Sequence, residues 1–341
     1  IGKQTLPVSG KLKQVNLHVR GAVDDLQADA AVKIVNGSAW EQSFDDLTAL
    51  AKLAGNRVTL SSLKIKKNGG AVALKGFYDF DQSFQAEMTV SKLNFHDIDR
   101  SKSIAVQYEG KMDMTLTASG TAQQPQAQAK IVFNSLSYTG KPIEDVVCDI
   151  SLKNQDMRAI VTTFRKKLIV TFDLGLTPDL PYRAELSMRQ AAIEQILSVV
   201  MEWKDMTGII TGTITSTGSL NRLREASADV KLSELRLDVY GQQLKNSRPI
   251  DFVVTEKNFT VNSLEMRGKE LGLFAQGFLN FQGDFNLDLD GIIDLRGVAP
   301  FLPDSAGISS LAGRAQVICS VHGTFAQPEI DGLLEFTDGA V

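Results

Sequence analysis

The chain is poor in the residues that do chemistry. It has two cysteines and three histidines among 341 residues. Cys148 and Cys319 lie far apart, and neither has a second thiol at CxxC spacing, which removes the usual signature of a zinc or redox site. Each alternates with apolar neighbours, Val146 and Ile150 around one, Val317 and Val321 around the other, so both read as small apolar residues on a buried face. His18, His96 and His322 are scattered, with no HExxH or His/Cys cluster, and read as strand-surface histidines. There is no G-x-S-x-G elbow and no G-x-x-x-x-G-K-[ST] phosphate loop. Asp24-Asp25, Asp45-Asp46 and Glu144-Asp145 are chain neighbours, which places them on turns or on opposite strand faces rather than as acid/base pairs. Asn286-Leu-Asp288-Leu-Asp290-Gly291 copies the start of a calcium loop, but Gly297 stands where a bidentate glutamate is needed. The expectation is a protein that is not an enzyme and carries no metal or cofactor.

There is no excess of positive charge either. Lys plus Arg number 36 against 40 Asp plus Glu, a net charge of −4, whereas nucleic-acid binding needs clustered positive charge. The densest basic run, Arg165-Lys166-Lys167, sits between two apolar segments and reads as a solvated turn. Aromatics make up only 7%. No run approaches the roughly 18 apolar residues of a membrane helix. Gly208-Ile-Ile-Thr-Gly212 is GxxxG in letters only, because its surroundings alternate like a strand. Ile1 leads almost at once into a strand-like run and Val341 ends in mid-pattern, so a segment of a longer protein is expected.

What is present is a repeat. Four short strands are bracketed by glycines: Gly10 to Gly21, Gly110 to Gly120, Gly208 to Gly218, and Gly313 to Gly323. Each closing glycine is followed by a short turn and another alternating run, as in Gly120-Thr-Ala-Gln-Gln-Pro125 and Gly323-Thr-Phe-Ala-Gln-Pro328. A second landmark recurs at an offset of 201. Val58 to Ile65 aligns without gaps on Phe259 to Met266, and Gly76-Phe-Tyr-Asp-Phe80 falls on Gly277-Phe-Leu-Asn-Phe281. The repeat is roughly 100 residues, with units at 10–109, 110–207, 208–312 and a partial 313–341 in one continuous array.

Within the repeat the period is two. Val15, Leu17 and Val19 share one face, as do Met112, Met114 and Leu116; so do Ile210 with Ile214, and Val230 with Leu232. Leu271, Leu273 and Leu279, then Leu287 and Leu289, then Val317, Cys319 and Val321 continue the pattern. Successive side chains on a strand face opposite sides, so each strand has one apolar and one polar face. Helical signals are few. Arg189 to Trp203 carries an apolar stripe at helical spacing. Phe44 to Ala54 has helical periodicity as well, but the repeat alignment sets it against Pro249 to Thr255, so a strand ending in a turn at Gly55-Asn56 is expected. With so few helices to cover it, the apolar face either packs on a second sheet or lines a groove. Stacked repeats favour the groove. Leaving about 1,000 Å² of apolar surface in water costs roughly 25 kcal/mol, so such a groove wants a long apolar ligand. About 30 strands at ~4.8 Å each would extend it to the order of 100 Å.

The glycine-bracketed strand, the turn after it and the Gly-Phe-x-x-Phe strands at Gly76 and Gly277 resemble the AsmA-like superfamily, most closely its TamB branch. In plan the chain is also similar to eukaryotic bridge-like lipid-transfer proteins. The likeness spans nearly the whole chain, on loose motifs. It implies an all-β fold of amphipathic antiparallel strands curled into an open apolar groove. It also implies a periplasmic protein of a diderm bacterium, anchored to the inner membrane by a segment absent from this chain. The implied role is movement of phospholipid between the inner and outer membranes. An outer-membrane β-barrel partner, if engaged, would be met through regions outside this segment, because no barrel-docking module is recognisable here. Two other readings compete with the lipid conduit. One is a scaffold or chaperone that pairs strand edges with outer-membrane β-barrel proteins. The other is a closed sandwich array with a dry core. The eighteen alternating residues named above are the candidate groove lining.

Overall fold

Runs of alternating apolar and polar residues, rich in Val, Ile, Leu and Thr, suit a pleated surface that is wet on one side. In the computed structural model they form 22 strands among the described residues, which are 8–22, 26–39, 42–97, 108–138, 140–144, 146–200, 206–239, 242–269, 272–281, 283–297, 312–324 and 327–340. The fold is all-β and antiparallel, as expected, but with fewer strands than the 30 or so anticipated. Individual strands run to 14 residues, so each copy of the repeat needs fewer of them.

The chain divides into two compact units, residues 1–165 with 173–177, and residues 166–172 with 178–341. The division falls within β12 (Leu168–Gly175), inside the second copy of the repeat. The first unit contains β1 (Val8–Arg20), β2 (Gln27–Ala39), β3 (Gln42–Ala54), β4 (Arg57–Lys67), β5 (Gly70–Asp79) and β6 (Ser83–Asn94). It continues with β7 (Tyr108–Thr121), β8 (Pro125–Tyr138), β9 (Lys141–Pro142), β10 (Val146–Lys153) and β11 (Asp156–Thr163). Each strand pairs with its sequence neighbour, except that β9 and β10 share the edge of β8. The second unit contains β13 (Pro181–Ala192), β14 (Met206–Ser219), β15 (Ser227–Val239), β16 (Gln242–Asn246) and β17 (Ile250–Val254). β18 (Asn258–Gly268), β19 (Gly272–Asn280), β20 (Asp284–Asp294), β21 (Ala312–Thr324) and β22 (Gln327–Ala340) complete it. Here β16 and β17 divide one position in the sheet, both lying between β15 and β18.

The repeat is visible in backbone detail. The pairing of β4 with β5 slips between Leu60 and Leu63, and that of β18 with β19 slips between Val261 and Leu264, at the same offset of 201. Phe80 donates its backbone N–H to the carbonyl of Asn56 (2.9 Å), and Phe281 does the same to Lys257 (2.7 Å). Such bulges bend the strand and increase its twist. Three of the four opening glycines, Gly10, Gly110 and Gly313, have φ of +144°, +149° and +115° and sit at register shifts. The third copy departs: Gly208 pairs with Leu237 without a shift, and the turn after Gly218 is a 3-10 helix, Leu220–Glu225.

The helical reading of Arg189 to Trp203 is corrected in part. Arg189 to Ala192 remain in β13, held by pairing of Ala191 and Ala192 with Ile210 and Ile209. The helix α1 covers only Ile193–Val200, and residues 201–205 lie outside the described residues. Phe44 to Ala54 is strand β3, with the tight turn at Gly55 and Asn56. Its helical periodicity yields to cross-strand pairing along its whole length. Arg165 to Lys167 form a turn, with φ near +55° and +63° at the first two.

Candidate functional site: the apolar sheet face

Side chains directly opposite one another in an antiparallel pair lie on the same face. The registers therefore sort the first unit into rows that run across the strands. One row takes Val15, Val32, Ala49, Leu63 and Leu74, then Met88, Leu116, Ala129, Ile150 and Ala159. A second takes Leu12, Ile34, Leu47, Ile65 and Val72, then Val90, Met114, Ile131, Cys148 and Val161. A third takes Leu17, Ala30, Ala51, Leu60 and Gly76, then Ala86, Ala118, Ala127, Leu152 and Met157. No charged residue interrupts any of the three. The row on the reverse face reads Gln14, Lys33, Thr48, Lys64 and Ala73, then Thr89, Thr115, Lys130, Asp149 and Ile160.

The second unit is built likewise. Leu186, Ile214, Val230 and Phe252 continue as Val261, Gly277, Leu287, Val321 and Ile330. Met188, Gly212, Leu232 and Ile250 form part of the adjacent row, and Leu264, Ala275, Leu289 and Cys319 another part. Met266, Leu273, Gly291 and Val317 form the next. Seventeen of the eighteen expected lining residues thus fall on the apolar face of their unit: Val19 beside Leu17, Met112 beside Met114, Ile210 opposite Leu235, and Leu279 opposite Phe259 and Phe285 among them. Leu271 lies outside the described residues. Sequence reading left out Val32, Ile34, Leu63, Ile65, Leu74, Met88, Ile131 and Ile150. Their alternation is present in the sequence and would have found them.

The face is not sealed evenly. Each unit has one strand end that carries the longer connections, which include the short 3-10 turn Phe95–Asp97, the helix α1, and the 3-10 turn Leu295–Gly297. Buried apolar side chains concentrate there. In the first unit they include Ala39, Phe44, Leu47, Val90, Val146 and Phe164, and in the second Met188, Ala191, Ile193, Met206, Ile250 and Leu295. Gly37 leaves room for the Phe44 ring, since a Cβ there would meet its Cζ at 2.5 Å. Phe95 stacks edge-on to Tyr108 at 5.9 Å between ring centroids and against Phe133 at 6.4 Å. Asp97 fastens this connection by accepting from Asn68 (2.8 Å) and Asn94 (2.9 Å). A hollow of about 260 Å³ remains on this side, lined by Ile65, Val72, Leu93 and Gly70 with Gln42, Lys67 and Asp97.

The opposite, hairpin end is more exposed, although Phe285 of the second unit is buried there. Tyr78, Phe80 (56% exposed) and Phe281 (51%) stand in solvent there, as do Leu220 and Leu223. Most apolar residues in the middle of the rows are half-buried rather than buried. Among the described residues, no buried polar or charged side chain interrupts the core and no buried side-chain polar atom lacks a partner.

Burial raises the Cys148 thiol above the ordinary range, and the adjacent Asp149 adds to the effect. His18 opposes Asp29 and His322 opposes Glu329 (3.3 Å) on the polar face. The side chain of His96 lies outside the described residues. Asp288 and Asp290 also stand on the polar face, where Asp288 accepts from Ser320 at 2.6 Å. Asp46 stands on the polar face of β3, 3.4 Å from Lys33, and Asp45 accepts from the backbone N–H of Asn68 at 2.8 Å; Asp24, Asp25 and Asp145 lie outside the described residues. No group of three metal-capable side chains occurs among the described residues. No described helix is long and apolar enough to cross a membrane. No protein-family model, curated protein or solved structure matches this chain.

Proposed function

We propose that the chain carries the acyl chains of phospholipids along the apolar face of its sheets, as part of a bridge between two membranes. The observation that carries this reading is the set of uncharged apolar rows, ten strands wide in the first unit, that stay half-exposed instead of being covered by helices or a second sheet. A pocket for one small molecule needs a few convergent polar groups, and the rows have none. An acyl chain needs only continuous apolar contact, worth about 0.8 kcal/mol per CH₂ removed from water. The more exposed hairpin end leaves room for headgroups at the edge of the sheet. Membership of the AsmA-like superfamily, a periplasmic site of action and an inner-membrane anchor elsewhere in a longer protein belong to the same proposal.

The deciding experiment is mass spectrometry of lipids extracted from protein purified without detergent. Wild type is compared with Leu116→Asp, Ile214→Asp and Leu273→Asp combined. More than one phospholipid per chain is expected in wild type, with loss in the triple variant while the β-sheet circular dichroism persists. A well-folded wild type free of lipid would sink the proposal. A second reading, a scaffold that pairs strands of outer-membrane proteins, draws on β1. This 13-residue strand pairs on one side only among the described residues and exposes Leu12, Val15 and Leu17.

A further inference from the structure

The polar face of the second unit holds a hollow of about 700 Å³, larger than the two of about 420 and 360 Å³ on the polar face of the first. The charged residues lining the first-unit hollows leave at most one cation in excess. Lys130 and Arg158 line one together with Asp149, and Lys153 lines the other together with Glu87. The second-unit hollow has a larger excess: Arg236, Lys245, Arg267 and Lys269 line it with the single carboxylate of Asp238.

Arg236 opposes Lys245, and Lys245 opposes Arg267, so three cations stand side by side on β15, β16 and β18. Like charges directly opposite in a sheet are destabilising. The outer two are partly relieved by acids on their own strands, Glu234 on Arg236 (2.6 Å) and Glu265 on Arg267 (2.7 Å to Nε). Glu265 also meets Arg248 at 3.3 Å. Lys245 and Lys269 make no ion pair among the described residues. An arginine held by a carboxylate on one side keeps further N–H donors for a second acceptor.

The backbone beside this space is irregular. β16 is only five residues long, and the chain leaves the sheet between it and β17. The Asn246 side chain bridges that gap, accepting from the N–H of Leu235 (2.7 Å) and donating to the carbonyls of Ser233 (3.1 Å) and Arg248 (2.7 Å).

We propose that this column of cations binds a phosphate group. The site goes beyond the acyl-chain reading, since it lies on the opposite face of the sheet and does not require lipid in the groove. Two sources share the chemistry, the headgroups of an anionic bilayer and free inorganic phosphate, and the experiment separates them.

The full chain is mixed with vesicles of phosphatidylcholine alone or containing phosphatidylglycerol. Acylation of Lys245 and Lys269 is then followed by mass spectrometry, with and without inorganic phosphate. Protection only by the anionic vesicles assigns a lipid headgroup; protection by phosphate alone assigns the free anion. Lys245→Ala should weaken binding to the protecting ligand about fivefold, in line with the contribution of one cation near an anionic surface. Lys245→Glu should abolish it. Lys75→Glu, which removes a lysine paired with Glu87 on the polar face of the first unit, should change little and controls for net charge. Absence of protection by either ligand, or equal losses in Lys245→Glu and Lys75→Glu, overturns the site. Neither result bears on lipid retained by the apolar face, which the triple aspartate variant reads separately.

Discussion

Strands β4 to β6 and β18 to β20 are the same backbone written twice, 201 residues apart, with different side chains. Their bulges and turn hydrogen bonds coincide. Glycine stands at the same point, Gly76 and Gly277, where a Cβ would meet the carbonyl oxygen of Gln85 or Asn286 at 2.1 Å. Along the row that continues from these glycines, the first unit has Ala86, Ala118 and Ala127, and the second has Leu287, Val321 and Ile330. Phe84 in the first is half-buried, whereas its counterpart Phe285 is 8% exposed. The difference teaches that backbone geometry and groove filling are set by separate residues. Glycines and bulges fix the curvature, while the rows are free to be shallow or filled.

The largest expected effect tests that difference in filling. Phe285→Ala should cost about 3–5 kcal/mol, and Phe84→Ala distinctly less, read by hydrogen exchange of β18–β20 against β4–β6, since one global unfolding energy is ill-defined for two units. Equal losses would mean that Phe84 is as well packed as its counterpart. Next come the glycines. Gly76→Ala adds a steric clash of roughly 1–3 kcal/mol; Gly277→Ala adds the strain of its φ of +132°, about 1–3 kcal/mol more. A third comparison sets Asn246 against Asp45, its equivalent in the continuous strand β3, which accepts from the backbone N–H of Asn68 at 2.8 Å. Asn246→Asp removes two donors to backbone carbonyls and should cost about 1–3 kcal/mol. Asp45→Asn keeps an acceptor and should cost under about 1 kcal/mol. The smallest effect on stability is expected from Ala86→Leu, Ala118→Val and Ala127→Ile together. This triple copies the second unit into the first and should lower the number of lipids retained per chain while leaving melting within a few degrees.

Much of the fold is legible in the sequence, for a physical reason. A strand's period of two is local, so Val317-Ile-Cys319-Ser-Val321 declares its apolar face without any knowledge of its partners. The internal repeat supplies what periodicity cannot, overruling the helical pattern of Phe44 to Ala54. Features set by pairing across strands are hidden. The column of Arg236, Lys245 and Arg267 exists only through register, as does the relation of Asn246 to Ser233 and Leu235. The packing of Phe95 against Phe133 at the connector end depends on where a connection folds back, and no local spacing records that. Arg189 to Ala192 look helical because a short amphipathic helix does come after them, and pairing with β14 holds those four residues in the sheet.

The order of the strands in each unit has a consequence for assembly. Almost every strand bonds to the one made just before it, so the sheet grows by short closures along the chain, which cost little entropy and proceed quickly. A nascent chain can therefore lay down each strand as it is synthesised, against a partner already in place. Such a sheet can be lengthened or shortened by whole strands without rewriting the strands already formed.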